Sequence, residues 1–343
     1  MPPQLNRRSL FGLSAAAATT ALVATAAASR AADEPQASAA PTDARDAVAA
    51  SYGRETAKAR GTWSSYISIP GTEGAATPVV QQRANDLVEA YSVNKIAVAT
   101  AVLDKIDRGQ LRLDQRVDVS SDIVDDGGGV FGLDGAYPSS VTLGHVMAAM
   151  LTLSDNTAVR LCGLVAPAKE INDILTAKGF PKTQVEPLAN PNRFFLGQTT
   201  PRETHDLLQK LVKGQLLSET STSYLLKVLR SPIAFTDGIR LDMSTDERLR
   251  VATKAGWFKD GRNEAGLIFD GAGKPVLTYS LFAAGAFAGA AAANDANFSI
   301  THPALRARAA MGRVFLDVGS ASGANPRLLS AVTKYPYRPS NGG

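Results

Sequence analysis

The sequence predicts a mixed α/β (α+β) fold in which one antiparallel sheet, flanked by helices, is built from both chain ends and carries an inserted all-helical domain. Runs rich in β-branched and aromatic residues occur at 61–71 and again within 248–285. Between them apolar residues recur at helical spacing, and a last helical segment follows at 301–318. Because a strand must bury its apolar face in a shared layer, the two β-rich ends are expected to form one sheet.

The first 32 residues are predicted to be an export signal. Arg7 and Arg8 precede an alanine-rich run that carries no charge until Arg30, and small residues suited to signal peptidase follow. The paired arginines are typical of the twin-arginine type. Residues 33–42 would be a linker. The sequence therefore predicts a secreted or periplasmic protein without a stable membrane anchor.

The rest of the chain is predicted to alternate between the two parts of the fold. Residues 43–85 and 240–318 are assigned to the sheet-containing subdomain, 86–239 to the inserted helical subdomain, and 319–343 to an irregular tail. The first helix covers 43–59, and a strand ends at Pro70-Gly71. The segment 79–90 is expected to lead into a long helix that begins after Ser92.

Further helices and strands follow from local patterns. Helices are expected from Thr142-Leu143 to Ser154, beyond Asn156, from Pro201 with a threonine cap, and after Gly214. The runs 248–258, 264–270 and 276–285 are separated by turns that contain glycine, and this predicts an antiparallel meander.

Composition excludes several classes of function. The formal net charge of +4 falls to about +1 once the three arginines of residues 1–32 are removed, so no basic stripe indicates a nucleic-acid partner. Cys162 is the only cysteine, and the three histidines have no metal-ligand spacing. The segment GGGVFG opens no helix after a strand, which argues against dinucleotide binding. No metal and no cofactor are expected.

Four short motifs suggest a reaction. Ser92 and Lys95 stand three residues apart where an apolar helix begins, followed by Ser154-Asp155-Asn156, Glu186-Pro187-Leu188-Ala189-Asn190 and Lys254-Ala255-Gly256. A serine hydroxyl needs a base before it becomes a nucleophile, and residues i and i+3 share one face of a helix. A second lysine nearby disfavours the ammonium form of Lys95, which would let that lysine act as the base.

Together and in this order, the motifs resemble those of class A β-lactamases and their relatives among the penicilloyl-serine transferases. The resemblance runs from about Tyr66 to Val318. It implies that Ser92 is the nucleophile, that Lys95 is its base and that Ser154 passes a proton to the leaving nitrogen. It further implies that Glu186 activates the deacylating water.

The resemblance also implies a set of binding residues. Asn156 would hold the substrate's side-chain amide, Asn190 would help to place the water, and Lys254 would attract the substrate carboxylate. The strand that carries Gly256 and Trp257 would line the cleft, with the backbone N–H groups of Ser92 and Trp257 as the oxyanion hole. Arg262 lies near the position where the family often has an arginine that binds this carboxylate.

The sequence departs from the family pattern in three places. Ala255 lacks the hydroxyl that normally bonds the substrate carboxylate. Trp257 and Phe258 are expected to narrow one lip of the cleft, with Phe131 on the opposite lip. Gln184 and Gly197 replace the usual ion pair at the neck of the loop that carries Glu186, so a looser loop is expected.

The sequence therefore predicts a monomeric, exported serine hydrolase that opens β-lactam rings of small-molecule substrates through an acyl-Ser92 intermediate. A D-Ala-D-Ala peptidase or esterase on the same fold is the first alternative. The second is a β-lactam-binding or sensor module without turnover.

Overall fold

The computed structural model describes residues 44–70, 76–125 and 128–320. The predicted export signal, the linker and the tail beyond 320 lie outside the described residues. Within those ranges, no helix combines the length and apolarity needed to cross a membrane. The residue boundaries predicted for the sheet-containing and helical subdomains stay a prediction.

The strands are short except where they form the main sheet. They are β1 (Arg60–Pro70), β2 (Ala76–Gln82), β3 (Val88–Glu89), β4 (Arg116–Val119), β5 (Ser139–Thr142), β6 (Gln184–Pro187), β7 (Phe194–Thr199), β8 (Val251–Phe258), β9 (Gly261–Phe269) and β10 (Pro275–Phe287).

The helices occupy mainly the middle of the chain and its two flanks. They are α1 (Ala44–Ala59), α2 (Lys95–Asp107), α3 (Leu143–Thr152), α4 (Asn156–Val165), α5 (Ala168–Ala177), α6 (Pro201–Val212), α7 (Glu219–Leu229), α8 (Thr245–Arg248), α9 (Ala291–Asp295) and α10 (Pro303–Ser320). Short 3₁₀ turns cover Tyr91–Asn94 and Phe131–Leu133.

The main sheet joins both ends of the chain, as predicted. Its strand order is β2-β1-β10-β9-β8, and all neighbours are antiparallel. The meander β8-β9-β10 supplies three adjacent strands, and β1 then pairs along β10 from Arg60 to Ser68. The predicted fold class is confirmed.

Both faces of this sheet are covered, which explains why β9 is buried along its whole length. Alternate residues of a strand point to opposite faces. Ile268 accordingly packs with α1 and α10 around Tyr52 and Phe315, whereas Leu267 joins the core formed with the central helices. The second core surrounds α2, in which Val98, Ala99 and their neighbours are almost entirely inaccessible to solvent.

Most local predictions agree with the structure. The side chain of Thr200 caps α6 by accepting from the Glu203 N–H, and Pro201 occupies the first turn. One prediction is wrong: the loop predicted around Glu186 forms a hairpin of β6 and β7. The pairing of β6 with β7 is not encoded by a long alternating run, because β6 has only four residues.

Candidate active site

Ser92 lies in the 3₁₀ turn that leads into α2, where the helix meets the edge strand β8 of the sheet. Its side chain is partly exposed and lines a cleft of about 770 Å³. The residue before it, Tyr91, has a φ of 47°, in the left-handed region that residues other than glycine rarely adopt. Such backbone strain is common where a functional side chain must be aimed.

Lys95 is the first residue of α2, and none of its side chain is accessible to solvent. Its Nζ donates to the Ser154 backbone oxygen (2.5 Å), the Ser154 Oγ (3.1 Å) and the Asn156 Oδ1 (2.9 Å). All three ammonium protons are therefore engaged, with Ser154 and Asn156 and not with Ser92. The lysine must give up one proton before it has a lone pair to offer to Ser92.

Ser154 stands between two buried lysines. The Lys254 Nζ donates to the Ser154 Oγ at 3.0 Å and to the Ala255 carbonyl at 2.7 Å. Ser154 also has a left-handed backbone, with φ at 58°. A hydroxyl that accepts from two amines keeps its own proton free to donate, and protons can move through it from either lysine.

Burial and mutual repulsion act on the two lysines together. Burial lowers the pKa of Lys95 to about 7, although the Asp155 and Asp125 carboxylates favour its charged form. Burial, followed by the nearby Lys95 charge, lowers the pKa of Lys254 well below its usual value. At neutral pH a substantial fraction of Lys95 is consequently a neutral amine.

The rate of any reaction that uses Lys95 as a base should rise with pH through about 7. Below this value the amine is protonated and the base is lost; above it the rate should reach a plateau, because the neutral fraction no longer changes. The acylation rate of the protein by a β-lactam, measured between about pH 5 and 9, tests this. A rate that falls as the pH rises through neutrality would contradict it.

Asp155 fixes the turn that presents Ser154 and Asn156. One carboxylate oxygen accepts from the backbone of Val130 and Phe131, and the other caps α4 by accepting from Ala158. The loop that contains GGGVFG can approach closely, because a Cβ at its third glycine would overlap the Asp155 carboxylate. Gly129 thus lets the loop lie against the start of α4.

Strand β8 passes directly beside the backbone of the Ser92 turn. A Cβ on Gly256 would lie 2.6 Å from the Ser92 nitrogen and 2.8 Å from the Val93 nitrogen, so only glycine fits. Asn263 fastens the same junction, since its amide donates to the Glu89 carbonyl and accepts from the Ala283 N–H. The backbone N–H groups at this junction can serve as an oxyanion hole.

Replacing Gly256 by alanine should lower the acylation rate about 10²-fold, because a displacement of about 1 Å at reacting groups has an effect of that order. The matched control is Gly53→Ala on α1, where a Cβ would meet nothing within 4 Å. Both variants are measured for acylation rate and melting temperature. Equal acylation rates in the two variants would contradict the role given to Gly256.

Glu186 lies on β6, where it pairs with Phe195 of β7. Its neighbour Val185 points into the core, and Glu186 is exposed at the rim of the same cleft that Ser92 lines. Within the described part of the chain, its carboxylate makes no hydrogen bond with Lys95 or Asn190. The structure thus places Glu186 beside the cleft without fixing its carboxylate.

The hairpin of β6 and β7 is braced by amide side chains in place of the missing ion pair. The Nδ2 atom of the buried Asn94 donates to the carbonyls of Leu196 (2.7 Å) and Gln198 (3.0 Å). Asn172 exchanges two hydrogen bonds with the Val185 backbone, each of 2.8 Å. The looser loop stays a prediction, although these neutral hydrogen bonds hold both strands of the hairpin to neighbouring helices.

The chain matches a known protein family. The model of the beta-lactamase enzyme family matches residues 44–305.

The chain belongs to the beta-lactamase enzyme family.

Solved structures of the family share its fold. A beta-lactamase from Xanthomonas campestris pv. campestris is 24% identical, with a TM-score of 0.64 over 79% of this chain and 98% of that chain. One from Sphaerobacter thermophilus is 22% identical, with a TM-score of 0.63 over 80% and 97%. A mutant of PBP-A, solved as an acyl-enzyme complex with penicillin G, is 19% identical, with a TM-score of 0.61 over 81% and 96%. The chain is thus a beta-lactamase-like serine hydrolase.

Several predicted binding residues of this beta-lactamase-family chain line the cleft, and others do not. Asn156 and Trp257 line it, and Trp257 packs on Phe235 with ring centroids 5.4 Å apart. Asn190 is an exposed turn residue whose Oδ1 accepts from the Asn192 N–H, and its role in placing the water stays a prediction. Phe131 is a correction: it is buried in the helical core and does not form a lip.

The placement of Arg262 argues against its predicted role. Its guanidinium is almost fully buried and donates to carbonyls on both sides, among them those of Lys259 and Asn294, and it stacks on Phe298. It anchors the segment after β10 and does not line the cleft. Ala255 is fully buried and pairs with Glu264.

The fold also supplies residues that sequence motifs could not reveal. Beneath Lys254, Glu264 is inaccessible to solvent and accepts from the hydroxyls of Thr253 (2.7 Å) and Tyr279 (3.3 Å), and its carboxylate favours the charged form of Lys254. Asn94, inside the S-x-x-K motif, could have been singled out only by noting that a polar residue of this helical segment, two positions after Ser92, is buried.

Proposed function

We propose that this hydrolase opens β-lactam rings through an acyl-Ser92 intermediate, with Lys95 as the base and Ser154 as the proton donor. The observation that supports this most is the Ser154 hydroxyl held between Lys95 and Lys254, beside a partly exposed Ser92. Two buried amines on one hydroxyl provide both a proton acceptor and a proton donor inside the same small volume.

Acylation would proceed in two proton transfers. The neutral amine of Lys95 takes the proton of the Ser92 hydroxyl while its oxygen attacks the carbonyl carbon, and the backbone N–H groups of Ser92 and Trp257 bind the resulting oxyanion. The C–N bond of the ring then breaks. The ring nitrogen receives the Ser154 proton, and Ser154 is reprotonated from the adjacent lysines.

Substrate binding would place a ring carboxylate toward Lys254 and the acyl side chain toward Asn156. The strand around Gly256 would form one wall, with the exposed rings of Trp257 and Phe258 at its rim. Deacylation would use a water activated by Glu186. Because the carboxylate of Glu186 is exposed and makes no hydrogen bond with Asn190 among the described residues, deacylation is expected to limit turnover.

Hydrolysis of a chromogenic cephalosporin tests the activity. Wild type should release the chromophore in a burst followed by a slow steady phase, and Ser92→Ala should show neither phase. Release at the same rate by Ser92→Ala would reject the proposed nucleophile.

A slow acyl-transferring peptidase or esterase is the second candidate, favoured by the exposed position of Glu186. Comparing a D-Ala-D-Ala peptide, a thioester depsipeptide and the cephalosporin at equal concentrations separates the candidates. Faster turnover of the depsipeptide than of the cephalosporin would favour the second. A single stoichiometric burst with no later turnover of any of them would indicate a β-lactam-binding module.

We propose export through the twin-arginine route, on the strength of Arg7-Arg8 and the uncharged run that follows. Replacing both arginines by lysine should leave full-length precursor in the cytoplasm, measured by fractionation and immunoblotting. Unchanged secretion of the double variant would reject this route.

A further inference from the structure

Arg193 is a cation in the cleft with a buried donor that lacks an acceptor. It lies between β6 and β7 and lines the same cleft as Ser92 and Asn156. Its Nη1 atom is inaccessible to solvent, and no residue in the described ranges accepts a hydrogen bond from it. A buried polar group left without a partner is unfavourable, and more so when it is charged. A ligand that accepted a hydrogen bond from this atom would therefore be favoured.

The backbone of Arg193 forms hydrogen bonds within the hairpin, whereas its Nη1 atom forms none with the described residues. Its N–H donates to the Asn190 carbonyl at 2.9 Å, and its own carbonyl accepts from the Leu188 N–H at 3.1 Å. These bonds close the turn at the end of the hairpin. The guanidinium is therefore presented to the cleft from a fixed position on the hairpin that Asn94 and Asn172 brace.

The other arginine of the cleft lining has acceptors for both of its Nη atoms. Arg160 donates to the carbonyls of Ile123 (3.2 Å) and Val124 (2.8 Å), and it forms an ion pair with Asp125 at 2.5 Å. Arg160 thus holds the cleft floor together. Among the residues that the structure describes, Arg193 has no equivalent acceptors for its Nη1 atom.

Acidic side chains also line the cleft and set the charge that a ligand would meet. They are Glu89, Asp122, Asp125 and Glu186. Asp125 is paired with Arg160. Asp122 is exposed; the Ser120 hydroxyl, above all, keeps its pKa below the usual value, and the charge of Arg193 contributes to this. The Nη1 atom of Arg193 has no acceptor among the described residues, and the side chain must turn toward the cleft for a ligand to reach it. Asp122 would compete with an anionic ligand for the guanidinium.

We propose that Arg193 binds a carboxylate on the acyl side chain of the substrate, so that the enzyme prefers acyl donors with an anionic side chain. This rests on the proposed acylation of Ser92. Lys254 lies on β8, on the sheet side of the cleft, and would take the ring carboxylate. Arg193 lies on the hairpin side and lines the cleft together with Asn156, which would hold the side-chain amide. A guanidinium binds a carboxylate through two parallel hydrogen bonds, which gives it selectivity for this group.

Two penicillins that differ only by one carboxylate test the proposal: benzylpenicillin and α-carboxybenzylpenicillin. The second-order rate of Ser92 acylation is measured by intact mass for wild type, Arg193→Gln, Arg193→Lys and Asp122→Asn. Wild type should be acylated faster by the carboxylated penicillin. In Arg193→Gln this preference should fall about 10- to 100-fold, the effect of one charge-assisted contact, because the rate with the carboxylated penicillin should fall more than the rate with benzylpenicillin.

The two remaining variants should change the preference for the carboxylated penicillin in opposite directions. Arg193→Lys should keep part of the preference, and Asp122→Asn should increase it because a competing negative charge is removed. A preference that is unchanged in Arg193→Gln, or equal losses with both penicillins, would overturn the proposal while leaving acylation of Ser92 intact. Failure of both penicillins to acylate wild type would overturn the proposed function and this inference with it.

Discussion

Lys95→Met should lower the rate of Ser92 acylation by about 10³-fold, within the range of about 10²–10⁴ that a general base contributes. Methionine matches the length of the lysine side chain but cannot accept the Ser92 proton. The change also removes the hydrogen bonds that hold Ser154 and Asn156, so the proton donor to the leaving nitrogen loses its alignment. Rapid-quench mass spectrometry with a β-lactam measures the effect.

The matched control is Lys105→Met on the same helix. Lys105 is also nearly buried, and its Nζ donates to the Val165 carbonyl and pairs with Glu170 at 2.6 Å, away from the cleft residues. Its replacement should lower the melting temperature and leave the acylation rate close to that of the wild type. The account of Lys95 would be wrong if both variants acylated at the same rate.

Glu186→Gln should keep the acylation burst and slow deacylation by about 10²-fold, at the lower end of the range for a general base. The lower end is expected because the Glu186 carboxylate is exposed, so a water beside it is less firmly held than in a closed site. Glutamine keeps the size and hydrogen-bonding capacity of the side chain and removes only the base. Decay of the acyl-enzyme mass after removal of excess β-lactam gives the rate.

Glu89→Gln is the control for this change, because Glu89 is an exposed carboxylate lining the same cleft. It should deacylate like wild type. If Glu186→Gln loses the burst together with the steady rate, Glu186 acts in acylation. If it changes neither, Glu186 is only an exposed carboxylate of the hairpin, and the peptidase or esterase candidate moves ahead.

The sheet could be predicted because its strands carry long apolar runs, and the core helices because their apolar residues repeat at helical spacing. The hairpin of β6 and β7 could not. Its strands are short, and they are held by side chains distant in sequence, such as Asn94 and Asn172. A local pattern contains no information about such partners.

The site also contains residues that sequence motifs reveal and residues that only the structure reveals. The residues of the S-x-x-K, S-D-N and K-x-G motifs were found from their order along the chain, and the structure brings Lys95, Ser154 and Lys254 together. Arg262 was misjudged because position alone does not show which carbonyls a guanidinium will meet. Arg193 was not singled out from the sequence. Its buried Nη1 atom has no acceptor among the described residues, and a missing partner can be seen only in the structure.

The most direct test of the central claim is the mass of the protein after brief exposure to benzylpenicillin, followed by peptide mapping. A covalent adduct of the intact β-lactam should appear on the peptide that contains Ser92 and be absent from Ser92→Ala. An unmodified protein, or the same adduct on Ser92→Ala, would contradict the assignment of Ser92 as the nucleophile.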